Sequence, residues 1–227
     1  MASKSRRSFL SNLGAAASAA GVTLAAGATA AEAQTAADAR WQAARHPQDD
    51  WFDQLPGKHR MFWDSTTPDR LEDAIQFTGN YYSANRGGYS LENADLAVIV
   101  CMRHRSAPFG YNDAMWAKYG YTLAKRAEFV DPKTKEVPKA NPFTPKAPPA
   151  PARARGLASL MNLGVQFAVC NLSTHAIAGL IAAAHGGTAD EKYAELAANL
   201  IDRARLVPAG IVAVNRAQER GYSVTGG

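Results

Sequence analysis

Two hydrophobic rhythms run through this chain. Asp95-Leu-Ala-Val-Ile-Val-Cys-Met102 is apolar at almost every position, which predicts a strand covered on both faces. Gly164 precedes Val165-Gln-Phe-Ala-Val-Cys170, a shorter run of the same character. Lys58-His-Arg-Met-Phe-Trp-Asp64 reads as the first strand, Ala204-Arg-Leu-Val207 as the fourth and Tyr222-Ser-Val-Thr225 as a short last one. Between these runs the apolar positions fall at helical spacing. Ser65-Thr-Thr-Pro68 starts a helix carrying Leu71, Ile75, Thr78 and Tyr82, and Asn85-Arg-Gly-Gly88 is expected to stop it. Further helices are predicted from about Asn112 to Lys125, from Arg153 to Asn162, and from Thr174 to His185. Another runs from the capping box Thr188-Ala-Asp-Glu191 to about Leu200, and a last one runs from Pro208 to Gly221.

Strands alternating with helices predict right-handed crossovers, and so a mainly parallel sheet of about five strands in a three-layer α/β/α sandwich. Chemistry in such α/β folds collects at the carboxyl ends of the strands, at the crevice where strand order reverses. Cys170 falls at that edge, just before polar residues that can begin a helix, where exposed N–H groups and the helix dipole favour a thiolate.

The N-terminus adds a compartment. Ser5-Arg-Arg-Ser-Phe-Leu10, a weakly apolar Ala/Gly-rich stretch and Ala31-Glu-Ala33 together read as a twin-arginine export signal over residues 1–33, which predicts a periplasmic protein without a stable membrane anchor. Residues 34–57 read as an extended N-terminal arm with scattered Trp41, Trp51 and Phe52, and residues 58–227 as the α/β domain. Between Asp131 and Pro151 lie seven of the 12 prolines, with almost no large apolar residues, so this insertion is expected to be an extended loop without a core of its own. Of the formal charge of +5, Lys4, Arg6, Arg7 and Glu32 belong to the signal, which leaves +3. No Lys/Arg stripe interleaved with aromatics accompanies that charge, so nucleic acid is not an expected partner.

Several enzyme classes lack their motifs. There is no Gly-x-Ser-x-Gly elbow, no phosphate loop, no Cys-x-x-Cys and no His-Glu-x-x-His, so neither a metal site nor a cofactor is predicted. Cys170 is the candidate nucleophile, against the reading of a small buried residue at a strand end. Cys101 continues the run Ala97-Val-Ile-Val100 and reads as core. A sheet of order 2-1-3-4-5 would hold the strands bearing the two cysteines about 9.6 Å apart, beyond the disulfide range unless loop bending brings them together. His104, just past the second strand, and His175, five residues after Cys170, are candidate acid/base helpers of the thiol, against exposed or capping roles. Phe109, Tyr111, Trp116 and Tyr119 read as core more than as a pocket lining.

Gly164-Val-Gln-Phe-Ala-Val-Cys170 and Val207-Pro-Ala-Gly-Ile-Val-Ala-Val-Asn-Arg-Ala-Gln-Glu-Arg-Gly-Tyr222 resemble exported members of the DsrE/DsrF-like sulfur-relay family. The resemblance follows element order over roughly residues 58–225, and these two stretches carry its specificity. It implies an α/β/α fold, a persulfide formed on the strand-end cysteine (here Cys170), a thiol-containing protein that accepts the sulfur, and a homo-oligomer or hetero-oligomer. The export signal, the long arm and the Pro-rich insertion depart from the pattern. The competing expectations are a non-catalytic module that binds a small ligand or metal at the sheet edge, and a structural accessory subunit that docks through its Pro-rich arm.

Overall fold

Every strand of the sheet follows the same direction, because each is reached through a helical crossover. The computed structural model describes residues 42–144 and 156–226. The signal segment, Trp41 with the start of the arm, and the end of the Pro-rich insertion lie outside the described residues. The strands are β1 (His59–Ser65), β2 (Leu96–Met102), β3 (Gln166–Cys170), β4 (Ala204–Val207) and β5 (Ser223–Gly226). The helices are α1 (Trp51–Gln54), α2 (Pro68–Tyr89), α3 (Asp113–Ala127), α4 (Leu157–Asn162), α5 (Asn171–His185), α6 (Ala189–Ala198) and α7 (Gly210–Gln218). The chain is an α/β sandwich around one five-stranded parallel sheet.

The strand order is β4-β3-β2-β1-β5, which corrects the order 2-1-3-4-5. Hydrophobic pattern specifies which residues form strands but not which strands become neighbours. The steps from β1 to β4 all move in one direction, so right-handed crossovers place their helices on one face; the return from β4 to β5 must cross the other face. Accordingly α2 to α6 pack on one face through Leu71, Leu123, Leu160, Ile177 and Leu196. On the second face α7 lies beside α1, whose Trp51 and Phe52 pack with Phe62, Ile99, Ala213 and Tyr222. The arm is therefore not extended at this point: a helical turn buries its aromatic pair, and the Tyr222 hydroxyl donates to the Phe52 carbonyl at 2.7 Å.

Several boundaries differ from expectation, among them the start of α7 at Gly210 rather than Pro208. Helix α2 runs through Gly87 and Gly88 and ends at Ser90, whose left-handed φ of 56° closes it. Neither glycine has a neighbour within 4 Å of a would-be Cβ, so nothing there opposes another turn of helix. Helix α5 starts at Asn171, directly after β3, rather than at Thr174. The described part of the Pro-rich insertion forms no helix or strand, yet it is anchored. Buried Asn141 donates to the carbonyls of Phe109 (2.8 Å) and Tyr111 (2.9 Å), and Phe143 packs edge-on against Phe109 at 4.6 Å. Gly120 is the complement of that docking, since a Cβ there would lie 2.5 Å from the Pro138 carbonyl oxygen.

Candidate functional site

Side chains alternate across a strand. Phe62, Cys101 and Ala168 belong to the face covered by α7, so Asp64 and Cys170, two residues on from Phe62 and Ala168, point the same way. The register sets Cys101 beside Asp64 on β1 and Ala168 on β3, and Cys170 beside Val207 on β4. The carboxyl ends of the central strands thus present one carboxylate and two thiols on a single face.

Arg103, the first residue after β2, covers them. Its Nε and Nη2 donate to the two oxygens of Asp64 at 2.8 and 2.7 Å, a bidentate pair in which the Asp64 side chain is only 8% exposed. This hydrogen bonding raises the pKa of the guanidinium. The stem of Arg103 occupies the space under α7, where a Cβ on Gly210 would come within 2.5 Å of the arginine Cδ. The glycine in Val207-Pro-Ala-Gly210 is therefore required by the close approach of α7 to this side chain. Beneath it, the Ser65 hydroxyl donates to the Cys101 carbonyl at 2.6 Å and the Ser106 hydroxyl to the Ser65 carbonyl at 2.7 Å, fastening the end of β1 to the turn after β2.

The two thiols differ. Cys101 is fully buried; burial pushes its pKa well up, Asp64 and then Cys170 add to the rise, and Arg103 opposes it. Cys170 is 6% exposed and occupies the N-cap of α5, its carbonyl accepting the Thr174 hydroxyl at 3.1 Å. Both cysteines are free. Their strands are neighbours, so the wide separation expected from the other strand order does not apply. They are diagonal partners, one strand spacing and two residues apart, roughly 8 Å between Cα atoms and still beyond the disulfide range.

The two histidines lie farther from this chemistry. His104 has a left-handed φ of 56° and its backbone N–H donates to the Ser173 hydroxyl at 3.0 Å, while its ring is exposed. The exposed His175 ring stacks flat on Tyr193 of α6, with centroids 4.0 Å apart. Neither imidazole forms a hydrogen bond to Cys170 among the described residues. No group of three or more His, Cys, Asp or Glu positioned to hold a metal ion occurs among the described residues. Phe109, Tyr111, Trp116 and Tyr119 are buried in the main core.

Sequence reasoning passed over Asp64, Arg103 and Gly210. The available signal was a charge near the end of each of two strands: Asp64 after Met61-Phe62-Trp63 in β1, Arg103 just past the apolar β2. The reversal of strand order lies between β1 and β5, so Cys170 sits at the carboxyl edge but two strands away from that crevice. Leu172 (65%) and Ile211 (60%), the second residues of α5 and α7, are exposed. A separate cleft of about 760 Å³ opens between α2 and residues 129–143, away from both thiols. No helix among the described residues is long and apolar enough to cross a membrane. Compared with known proteins, the chain matches no family profile, no curated protein and no solved structure.

Proposed function

We propose that this chain is an exported sulfur carrier of the DsrE/DsrF-like kind, loaded as a persulfide on Cys170. The observation that carries the reading is the position of Cys170: it ends a central parallel strand and caps a 15-residue helix whose second residue, Leu172, is exposed. In loading, the Cys170 sulfur attacks the outer sulfur of a sulfane donor; a new S–S bond forms and the donor departs as a thiolate. In unloading, the thiolate of an acceptor protein attacks the outer sulfur, takes it as its own persulfide and returns the Cys170 thiolate. The negative persulfide would lie at the positive end of α5. Leu172 and Ile211 would meet the acceptor protein or a second copy of the chain. Export by the twin-arginine route places this relay in the periplasm.

The burial of Cys170 favours a second reading, in which the thiol is packed and the protein is a non-catalytic binding module. Docking through the Pro-rich segment has less support, because residues 138–143 are already fastened to the chain's own α3 and Phe109. Intact mass after incubation with polysulfide, with and without reductant, separates the readings. A single reductant-labile sulfur that maps to Cys170 and is lost in a folded Cys170→Ser variant is the expected result. A Cys170 that stays unmodified and resists alkylation in the folded protein overturns the carrier reading.

A further inference from the structure

The cleft between α2 and residues 129–143 is independent of the sulfur chemistry, and its walls carry opposite charges. Its floor is apolar: Ile75 is buried, and Phe129 and Phe143 are half-buried. On the α2 wall, Glu72 and Gln76 stand one turn apart on the outer surface of the helix. The Glu72 carboxylate has no hydrogen bond or ion pair among the described residues, whereas Asp73 beside it is paired with Arg70 at 3.5 Å. On the other wall the Lys133 ammonium has no hydrogen bond or ion pair among the described residues, although Asp131 on the same wall carries a carboxylate whose pKa is lowered by backbone N–H groups and, less, by the charge of Lys133. Its neighbour Asp131 is engaged through backbone N–H groups of Lys133 (2.8 Å) and Thr134 (3.1 Å). That wall is held in place before any ligand arrives, since Asn141, Phe143 and the contact of Pro138 with Gly120 pin it to the domain.

An anion or a cation alone would engage only one of these two charges, and a neutral ligand neither. A molecule carrying both charges satisfies the pair, and an apolar side chain would cover the two phenylalanine rings. The volume suits such a molecule and lies within the usual range of small-ligand pockets. We infer that this cleft binds a small zwitterion with an apolar side chain, a free amino acid or dipeptide, its ammonium at Glu72 and its carboxylate at Lys133.

Calorimetry on the mature protein tests this with L-phenylalanine and phenylalanyl-phenylalanine, each alongside its N-acetylated and its C-amidated form. At least one free zwitterion binds at millimolar concentration or tighter, and blocking either terminus weakens binding about tenfold, the loss of one charge-assisted hydrogen bond. Glu72→Gln abolishes discrimination against the acetylated form alone, and Lys133→Gln abolishes discrimination against the amide alone. Both side chains are exposed, and an unchanged melting temperature shows that each variant is folded. Absence of binding by every probe, equal binding of free and blocked forms, or discrimination that survives both substitutions overturns the inference. Sulfur loading of Cys170, unchanged in both variants, is a separate readout.

Discussion

Helices α2 to α6 cover one face of the sheet with apolar side chains that interlock, while the other face rests on α7 and the single turn α1. The first face holds the larger cluster, from Leu71 and Val100 to Trp116 and Leu196, with Glu195 reaching only the hydroxyl of Tyr119. The second holds fewer apolar groups and admits Asp64, Arg103 and both thiols at its carboxyl edge. The first face supplies stability from area removed from water; the second gives up some of that area to keep polar chemistry at the strand ends. Handedness explains the inequality: successive steps toward β4 leave their helices on one side, and one return crossing leaves α7 on the other.

The largest effect should come from the polar edge. Arg103→Met leaves a buried Asp64 carboxylate without its partner, and a loss of about 4 kcal/mol in denaturant unfolding is expected at neutral pH. Adding Asp64→Asn should recover most of it, because no uncompensated charge remains. A loss under about 1 kcal/mol, the size seen for exposed ion pairs, would mean that water reaches Asp64 and that the second face is open at this edge.

On the apolar face, Leu160→Ala should cost about 3 kcal/mol through lost transfer energy and the cavity left in the main cluster. Combined with Arg103→Met, the two losses should add to within about 0.5 kcal/mol if the sheet isolates the faces. Strong non-additivity would show that strain passes through the strands and that the faces are one unit.

Much of this architecture was legible in the chain. The β2 run is apolar throughout, and the β3 run after Gln166, because both of their faces are covered, and that need is local and readable. The capping box at Thr188 and Glu191 was readable for the same reason, its reciprocal bonds spanning only three residues. Strand order was not legible, because pairing depends on crossover geometry rather than on pattern. The Asp64–Arg103 pair is separated by 39 positions and has no periodicity, so only the folded chain brings it together. Asn141 was hidden likewise, as one polar residue in a proline-rich run whose amide meets carbonyls 30 and 32 residues away. The location of Cys170 at a strand end was readable; its 6% exposure was not, since α7 and Arg103, which close over this face, come from other parts of the sequence.

Gly210→Ala examines the seam between the two regimes. The new methyl would lie 2.5 Å from Cδ and 2.7 Å from Cβ of Arg103, so either α7 lifts or the arginine leaves Asp64. A loss of about 2 kcal/mol is expected from this overpacking. If the guanidinium is what gives, the same substitution should speed alkylation of Cys170, read by mass spectrometry at equal times. Unchanged stability and unchanged labelling would show that α7 is not seated on the arginine.

The smallest effect is invisible at neutral pH. Burial raises the Cys101 thiol above its ordinary value of 9.0, so the folded protein keeps this proton at pH values where the unfolded chain has lost it. The unfolded state then binds fewer protons, and stability falls as pH rises past that value. Tyr82 and Tyr222, pushed up to about 12 chiefly by burial, contribute with the same sign above their ordinary 10.0. Melting temperature should therefore start to decline near pH 9 in the native sequence, and only near pH 10 in Cys101→Val, where tyrosine ionisation takes over. Superimposed curves would mean that Cys101 ionises as readily in the folded protein as in the unfolded one. The second face would then be permeable under α7, and burial would not separate Cys101 from solvent.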